Sequence, residues 1–173
     1  MLKKLAVEQR NWVDSVLNSL SMEERIAQLL LPNLGTYQWY DEIIDMLEHI
    51  PLGGVFVGAA SVDKHRTNLA RLQQKSRVPL LEAADLESGA GNIIKGGVTF
   101  PDMLAVEAAD SEDLAYTMGK ATALEGREVG IHWIFAPVVD VNLNPDNPIA
   151  NTRSLGDNPE RISQIATAIV CGM

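Results

Sequence analysis

Two residues of this sequence have the types and placement that chemistry would use: an aspartate that ends an apolar run and an arginine in a polar loop. Asp85 closes Pro79-Leu80-Leu81-Glu82-Ala83-Ala84-Asp85 and is followed by Leu86-Glu87-Ser88-Gly89-Ala90-Gly91. An ionised carboxylate at a strand end can accept two hydrogen bonds from adjacent sugar hydroxyls, and glycines after it let the backbone come close to a ligand. Arg153 lies in Asn151-Thr152-Arg153-Ser154-Leu155-Gly156-Asp157, where a planar guanidinium fork could hold hydroxyls, or a carboxylate that holds them. Each residue also has a plain structural role open to it. Asp85 could cap a turn or helix, and Arg153 could form a salt bridge to Asp140, Asp157 or Asp85.

The remaining candidates weigh less. Asp140 ends Trp133-Ile134-Phe135-Ala136-Pro137-Val138-Val139-Asp140, and its expected role is to anchor the following Asn/Pro loop through backbone bonds. Glu87 is too close in sequence to Asp85 to form a glycosidase pair, whose carboxyls flank the scissile bond at about 5–5.5 Å or about 6.5–9.5 Å. His132 begins a strand and is expected to pack, whereas His49 and His65 fall on helices and are expected to be solvated. Gly89-x-Gly91 lacks the third glycine and the following helix of a dinucleotide fingerprint, which leaves only a minor reading as a phosphate loop in a small doubly wound domain. There is no P-loop, zinc-helix motif or nucleophile elbow, so no metal and no cofactor is expected. The single Cys171 excludes an internal disulfide framework and a multi-cysteine metal site, and on an apolar helix face it is expected to be a small buried hydrophobe.

The elements that must position these residues follow from periodicity. Trp12, Val13, Val16, Leu17 and Leu20 have helical spacing, and Ser21 with Glu24 forms a capping box that starts a second helix through Leu31. Tyr40, Ile43, Ile44 and Leu47 continue the 3.6 period until Pro51, so only helices are predicted ahead of the first strand, Gly53 to Val57. A polar helix from about Val62 to Ser76, with Leu69 and Leu72 inward, leads to the strand that ends at Asp85. A long helix from about Ser111 to Val129 leads to a third strand, Trp133 to Asp140, whose apolar run predicts cover on both faces. Asp157 or Asn158 can cap a last helix with Pro159 in its first turn. Strand and helix alternate with connections too long for hairpins, so the class is α/β with about three parallel strands and N-terminal helices.

Composition narrows the function. The 173 residues are 46% hydrophobic, enough for a buried core and for one domain, 1–173, with no second domain. The net charge of −9 argues against nucleic acid. No stretch approaches the roughly 20 apolar residues that span a bilayer, and the first residues lack a secretory leader, so no membrane and a cytoplasmic location are expected.

Taken in order, the segments resemble glycoside hydrolase family 3. The matches are Leu20-Ser-Met-Glu-Glu-Arg-Ile-Ala-Gln-Leu-Leu30, Gly53-Gly-Val55, Pro79-Leu-Leu81 leading to Asp85-x-Glu87, Thr99-Phe-Pro101, Phe135-Ala-Pro-Val-Val-Asp140, and Asn147-Pro148 with Arg153-Ser-x-Gly156-Asp157. The resemblance implies the N-terminal portion of a (β/α) barrel in a retaining, exo-acting β-glycosidase of β-glucosidase or β-N-acetylhexosaminidase type. It implies that Asp85 hydrogen-bonds sugar hydroxyls at the cleavage subsite and that Arg153 helps to line it. The family's nucleophile and acid/base have no counterpart here, so no catalytic residue is assigned and the chain alone is expected to be inactive. Ser88 and Leu155 stand where the family commonly has Gly and Phe, and Ala90 and Ile93 stand near the place of arginines found in the N-acetylglucosaminidase branch, which leaves the sugar open. The rival class is a non-catalytic sugar-binding or assembly module built from a half barrel; on either reading the exposed sheet edges of a partial barrel offer a route to homo-oligomers.

Overall fold

The computed structural model describes residues 5–173. In chain order the elements are α1 (Val7–Ser19), α2 (Met22–Ala27), α3 (Tyr40–His49), β1 (Gly54–Phe56), β2 (Ala60–Ser61), α4 (Val62–Lys75), β3 (Leu81–Ala84), β4 (Ile94–Lys95), α5 (Met103–Ala108), α6 (Glu112–Glu128), β5 (Trp133–Ile134) and α7 (Pro159–Gly172). The parallel sheet has the order β1-β3-β5, with Gly54 opposite Leu81 and Ala83 opposite Trp133. The strands follow one another in space as in sequence, the order that a (β/α) barrel has and that parallel strands joined by right-handed crossovers give. A doubly wound sheet would reverse its order.

The caps are those the sequence predicts. Glu24 N–H donates to Ser21 Oγ at 3.2 Å while Ser21 N–H donates to the Glu24 carboxylate at 2.8 Å. Asn158 Oδ1 accepts from Glu160 and Arg161 N–H, with Pro159 at the first helical position. The helix after Ser21 stops at Ala27 rather than Leu31. Its exit is set by Gln28, whose Nε2 donates to the carbonyls of Pro51 and Leu52 at 2.6 and 3.0 Å and ties the chain to the start of β1.

Beyond that exit the chain is extended. Asn33 bridges Phe56 in parallel, Leu34 N–H donates to Phe56 O at 2.8 Å, and Phe56 N–H donates to Pro32 O at 2.9 Å. A further parallel segment therefore lies outside β1, which corrects the expectation that only helices precede the first strand. Periodicity missed it because Pro32, Asn33 and Gly35 read as turn residues. The two-stranded parallel sheet of β2 and β4 and the short α5 were also not expected.

The third strand is shorter than predicted. Phe135 N–H still donates to Ala84 O at 3.0 Å, but the Ala136–Pro137 bond is cis and Pro137 has no N–H to extend the ladder. Nor is the run covered on both faces: Trp133 is 45% and Phe135 38% exposed. Phe135 stacks on Phe56 with ring centroids 5.5 Å apart, and Trp133 meets it edge-on at 5.0 Å. This inner face has no opposite wall among the described residues.

Two cores hold the helices. Val55, Leu69, Leu72, Ala84 and Ile131 belong to the one around β1 and β3, and Met118, Leu155, Ile165 and Ile169 to the one between α6 and α7. His65 belongs with the first and is fully buried, not solvated. Its Nε2 lies 3.2 Å from Ile93 O, which can only accept, so its Nδ1 accepts from the Tyr37 hydroxyl at 2.7 Å. The inward spacing that places Leu69 and Leu72 reaches His65 one turn earlier. Cys171 is exposed, contrary to expectation, because α7 turns Ile162, Ile165 and Ile169 inward and leaves Cys171 on its outer face.

Candidate functional site

Asp85 follows β3 at the carboxyl end of the sheet, where the loops after parallel strands converge. Along a strand, residues two apart share a face, so Asp85 continues the side of Ala83. Asp85 is exposed, but partial desolvation raises its pKa, repulsion from Glu87 adds to this, and the Arg153 guanidinium opposes it. Arg153 comes from the loop after β5, at the end of a one-turn 3-10 helix, Asn151–Arg153. Its Nε and Nη2 donate to the two Glu87 carboxylate oxygens at 2.8 and 2.6 Å, and its Nη1 donates to Ile149 O at 3.2 Å. None of the partners expected for Arg153 is the one it takes. Glu87, not Asp85, Asp140 or Asp157, fills the fork, and Asp85 and Asp140 act on it as nearby charges that, after Glu87, hold its pKa up.

The loop that carries Arg153 is fastened at several points. Asn147 Oδ1 accepts from Ile149 and Ala150 N–H. The fully buried Ser154 places its Oγ 2.6 Å from Asp140 O and accepts Gly156 N–H at 3.2 Å. Thr152 Oγ1 donates to Asp102 at 2.8 Å. The anchor at Asp140 is its backbone carbonyl, held by the Ser154 hydroxyl, and not the aspartate side chain that its sequence position suggests.

The glycines after Asp85 have another task than admitting a ligand. A Cβ on Gly89, whose φ is +96°, would lie 2.6 Å from Val98 O, and one on Gly91 would lie 2.1 Å from Thr99 Oγ1. Gly91 N–H donates to Val98 O and Phe100 N–H to Ser88 O, so two stretches of the same loop pack backbone to backbone. Residues Ala90–Asn92 make a single 3-10 turn, and a phosphate there would lack the aligned N–H groups of an α-helix N-terminus.

One ionisable residue escaped the sequence reading. Glu82 is 1% exposed, three residues before Asp85 and hence on the opposite, helix-facing side of β3. Its Oε1 has no hydrogen-bond partner and its Oε2 is 3.8 Å from His132 Nε2. His132 N–H donates to Glu82 O at 2.9 Å, and its Nδ1 accepts Glu82 N–H at 3.1 Å. His132 is thus tied to the Glu82 backbone but is exposed, so the expectation that it packs holds only for its contact with Glu82. Desolvation pushes the Glu82 carboxyl up to about 7 and lowers the pKa of His132. The signal was available, since Glu82 is the one charged residue inside Leu80-Leu81-Glu82-Ala83-Ala84. Among the described residues no cluster of three metal-ligating side chains exists, and no helix is long and apolar enough to cross a membrane.

The chain is similar in sequence and fold to known proteins. The chain is 31% identical over 160 residues to a β-N-acetylglucosaminidase/β-glucosidase of Cellulomonas fimi, a match covering 92% of this chain and 28% of that protein. A solved β-glucoside phosphorylase bound to 2FGlc is 36% identical with a TM-score of 0.89, over 97% of this chain and 30% of the other. The structure of a β-N-acetylglucosaminidase from Paenibacillus sp. str. FPU-7 is 29% identical with a TM-score of 0.80, over 88% of this chain and 31% of the other. The chain thus spans less than a third of the length of each. Residues 21–173 match the glycosyl hydrolase family 3 N-terminal domain, and with the parallel, sequentially ordered sheet this makes the chain a member of glycosyl hydrolase family 3.

Proposed function

We propose that Asp85 and Arg153 form one wall of a sugar subsite in a retaining, exo-acting β-glycosidase, with Asp85 accepting hydrogen bonds from ring hydroxyls and Arg153 lining the same space. The observation that carries this reading is the clamp of Arg153 on Glu87, which brings the loop after β5 to the loop that begins at Asp85. The substrate is a β-linked glucoside or N-acetylglucosaminide. A retaining mechanism needs a nucleophile and an acid/base about 5–5.5 Å apart across the bond. Glu87 is held by Arg153 and cannot face Asp85 across a substrate, so these two carboxylates do not form that pair.

Titration of the isotope-labelled chain with methyl β-D-glucopyranoside is expected to shift resonances in the loops 85–91 and 140–156, and Asp85→Ala is expected to abolish those shifts. Shifts elsewhere only, or unchanged shifts in the variant, would refute the sugar reading. Hydrolysis of aryl β-glucosides and aryl N-acetyl-β-glucosaminides by the chain alone is expected to be undetectable.

A second reading, transfer of the glycosyl group to phosphate instead of water, is favoured by the 36% identical β-glucoside phosphorylase. In an enzyme completed by the rest of the barrel, a glycosyl phosphate formed on adding inorganic phosphate would select it, and free sugar alone would select hydrolysis.

Association between copies belongs to the same proposal. Among the described residues the sheet has open edges at β5 and at residues 32–35, and nothing covers the Phe56, Trp133 and Phe135 face, a combination that templates pairing. Light scattering of the chain is expected to show a mass that rises with concentration above 18.9 kDa. A monodisperse monomer at all concentrations would exclude association through these surfaces.

A further inference from the structure

Glu87 is left without a role by the proposed subsite, although it is the residue to which Arg153 is bound. An arginine has five N–H donors in a rigid plane. Glu87 takes Nε–H and one hydrogen of Nη2, and Ile149 O takes one hydrogen of Nη1. One N–H on each Nη atom remains for a ligand, and both directions are set by the carboxylate that grips the other side. The Glu87 side chain is 19% exposed against 47% for Arg153, so the carboxylate is the better anchored partner and the guanidinium the more open one. A bidentate pair of this kind fixes geometry as well as charge.

The charges point the same way. Asp85, Glu87 and Asp140 all act on Arg153, so this wall carries more negative than positive charge and its one cation is already matched. An anionic substituent on a sugar would meet carboxylates without finding a free guanidinium.

We infer that Glu87 is the positioning residue of this subsite: by occupying the fork of Arg153 it fixes which N–H groups face the ligand and removes the free cation that an anionic sugar would seek, so that the subsite takes an uncharged pyranoside. This rests on the sugar reading above and names the substrate class of that site. Glu87 acts through Arg153 and is given no contact with reacting atoms.

The test uses the full chain with labelled arginine side chains, two probes and two variants. The probes are methyl β-D-glucopyranoside and methyl β-D-glucopyranosiduronate. In the wild type, Arg153 Nε–H is expected to exchange with water more slowly than that of exposed Arg10, and the glucoside is expected to bind roughly tenfold tighter than the glucuronide, the scale of one charge-assisted contact. Glu87→Gln is expected to speed the exchange, weaken the glucoside and shrink or reverse the preference. Glu87→Asp keeps the charge and is expected to retain the preference with reduced affinity. Resonances of Ala83 and Ala84 report whether each variant keeps the native strand.

Fast exchange of Arg153 Nε–H in the wild type would overturn the positioning role. An unchanged affinity ratio in Glu87→Gln, with sugar still bound, would overturn the charge selection while leaving the sugar site intact. Failure of the wild type to bind either sugar at these loops would instead remove the sugar reading and the substrate class with it, whereas the exchange measurement reads the clamp without any sugar.

Discussion

Glu82→Gln is expected to raise the stability of the chain at pH 8 by on the order of 2–3 kcal/mol and to leave it almost unchanged below pH 4.5. The cause is the buried, half-orphaned carboxyl against His132. Its folded-state pKa is raised to about 7 from the usual 4.5, so the native state resists losing that proton while the unfolded chain gives it up readily. A raised carboxylate stabilises fully below its unfolded pKa, and that contribution is lost as the pH rises from 4.5 through 7. Glutamine has no proton to lose and a similar shape. His65 and His132 act with the opposite sign: burial lowers both pKa values, so their cost begins as the pH falls below about 6.5, the ordinary histidine value. The difference between Glu82→Gln and wild type isolates the carboxyl. Urea denaturation at several pH values measures it, and a difference that does not grow between pH 4.5 and 7 would show that Glu82 is ionised at no cost.

Gly119→Ala is expected to lower stability by roughly 2–3 kcal/mol even though alanine is the better helix former by about 1 kcal/mol. A Cβ at Gly119 would lie 2.1 Å from Ile169 O, and one at Gly172 would lie 2.1 Å from Tyr116 O. The two contacts are reciprocal across α6 and α7, and the obstacle in each is backbone, which cannot rotate away. Forcing the helices apart would also open the packing of Met118 against Ile165 and Ile169. Gly126→Ala in the same helix is the control. There the nearest atom is the flexible end of Leu86 at 3.1 Å, so the gain in helix propensity should offset most of the crowding. Equal midpoints for Gly119→Ala and wild type in thermal unfolding would mean that the helices yield at no cost.

The exposed aromatic face and the buried carboxyl belong to one strand arrangement. On the inner side, Ala83 is small enough for Phe56 and Phe135 to stack across β3. On the outer side Glu82 is sealed beneath α4 and the turn at Gly130, where a Cβ would come 3.0 Å from its Oε2. Asp85 emerges past the end of both layers. Its position at the mouth, and that of Glu82 in the wall, differ by three residues and hence by one face of the strand.

Much of this was readable from residue order. Apolar periodicity, the Ser21 to Glu24 capping box and Asn158-Pro159 determine where most of the helices start, since these signals are local, whereas the end of α2 was set by the distant Pro51 and Leu52 and α5 left no such signal. The alternation of helix and strand likewise determines a parallel sheet, and the ordered motifs determine the family. What lies more than a few residues apart was decided only by folding. That the Pro32 to Gly35 stretch pairs with β1 depends on hydrogen bonds offered by Phe56, which no local propensity records. That Arg153 meets Glu87, 66 positions away, rather than the nearer Asp140 or Asp157, depends on how the loop is pinned by Asn147 and Ser154. That His65 is sealed and Cys171 is not depends on which helix face finds a neighbour. Side-chain type states what a residue can do, and only the packed chain states what it meets, because burial and partner choice are properties of three-dimensional neighbours.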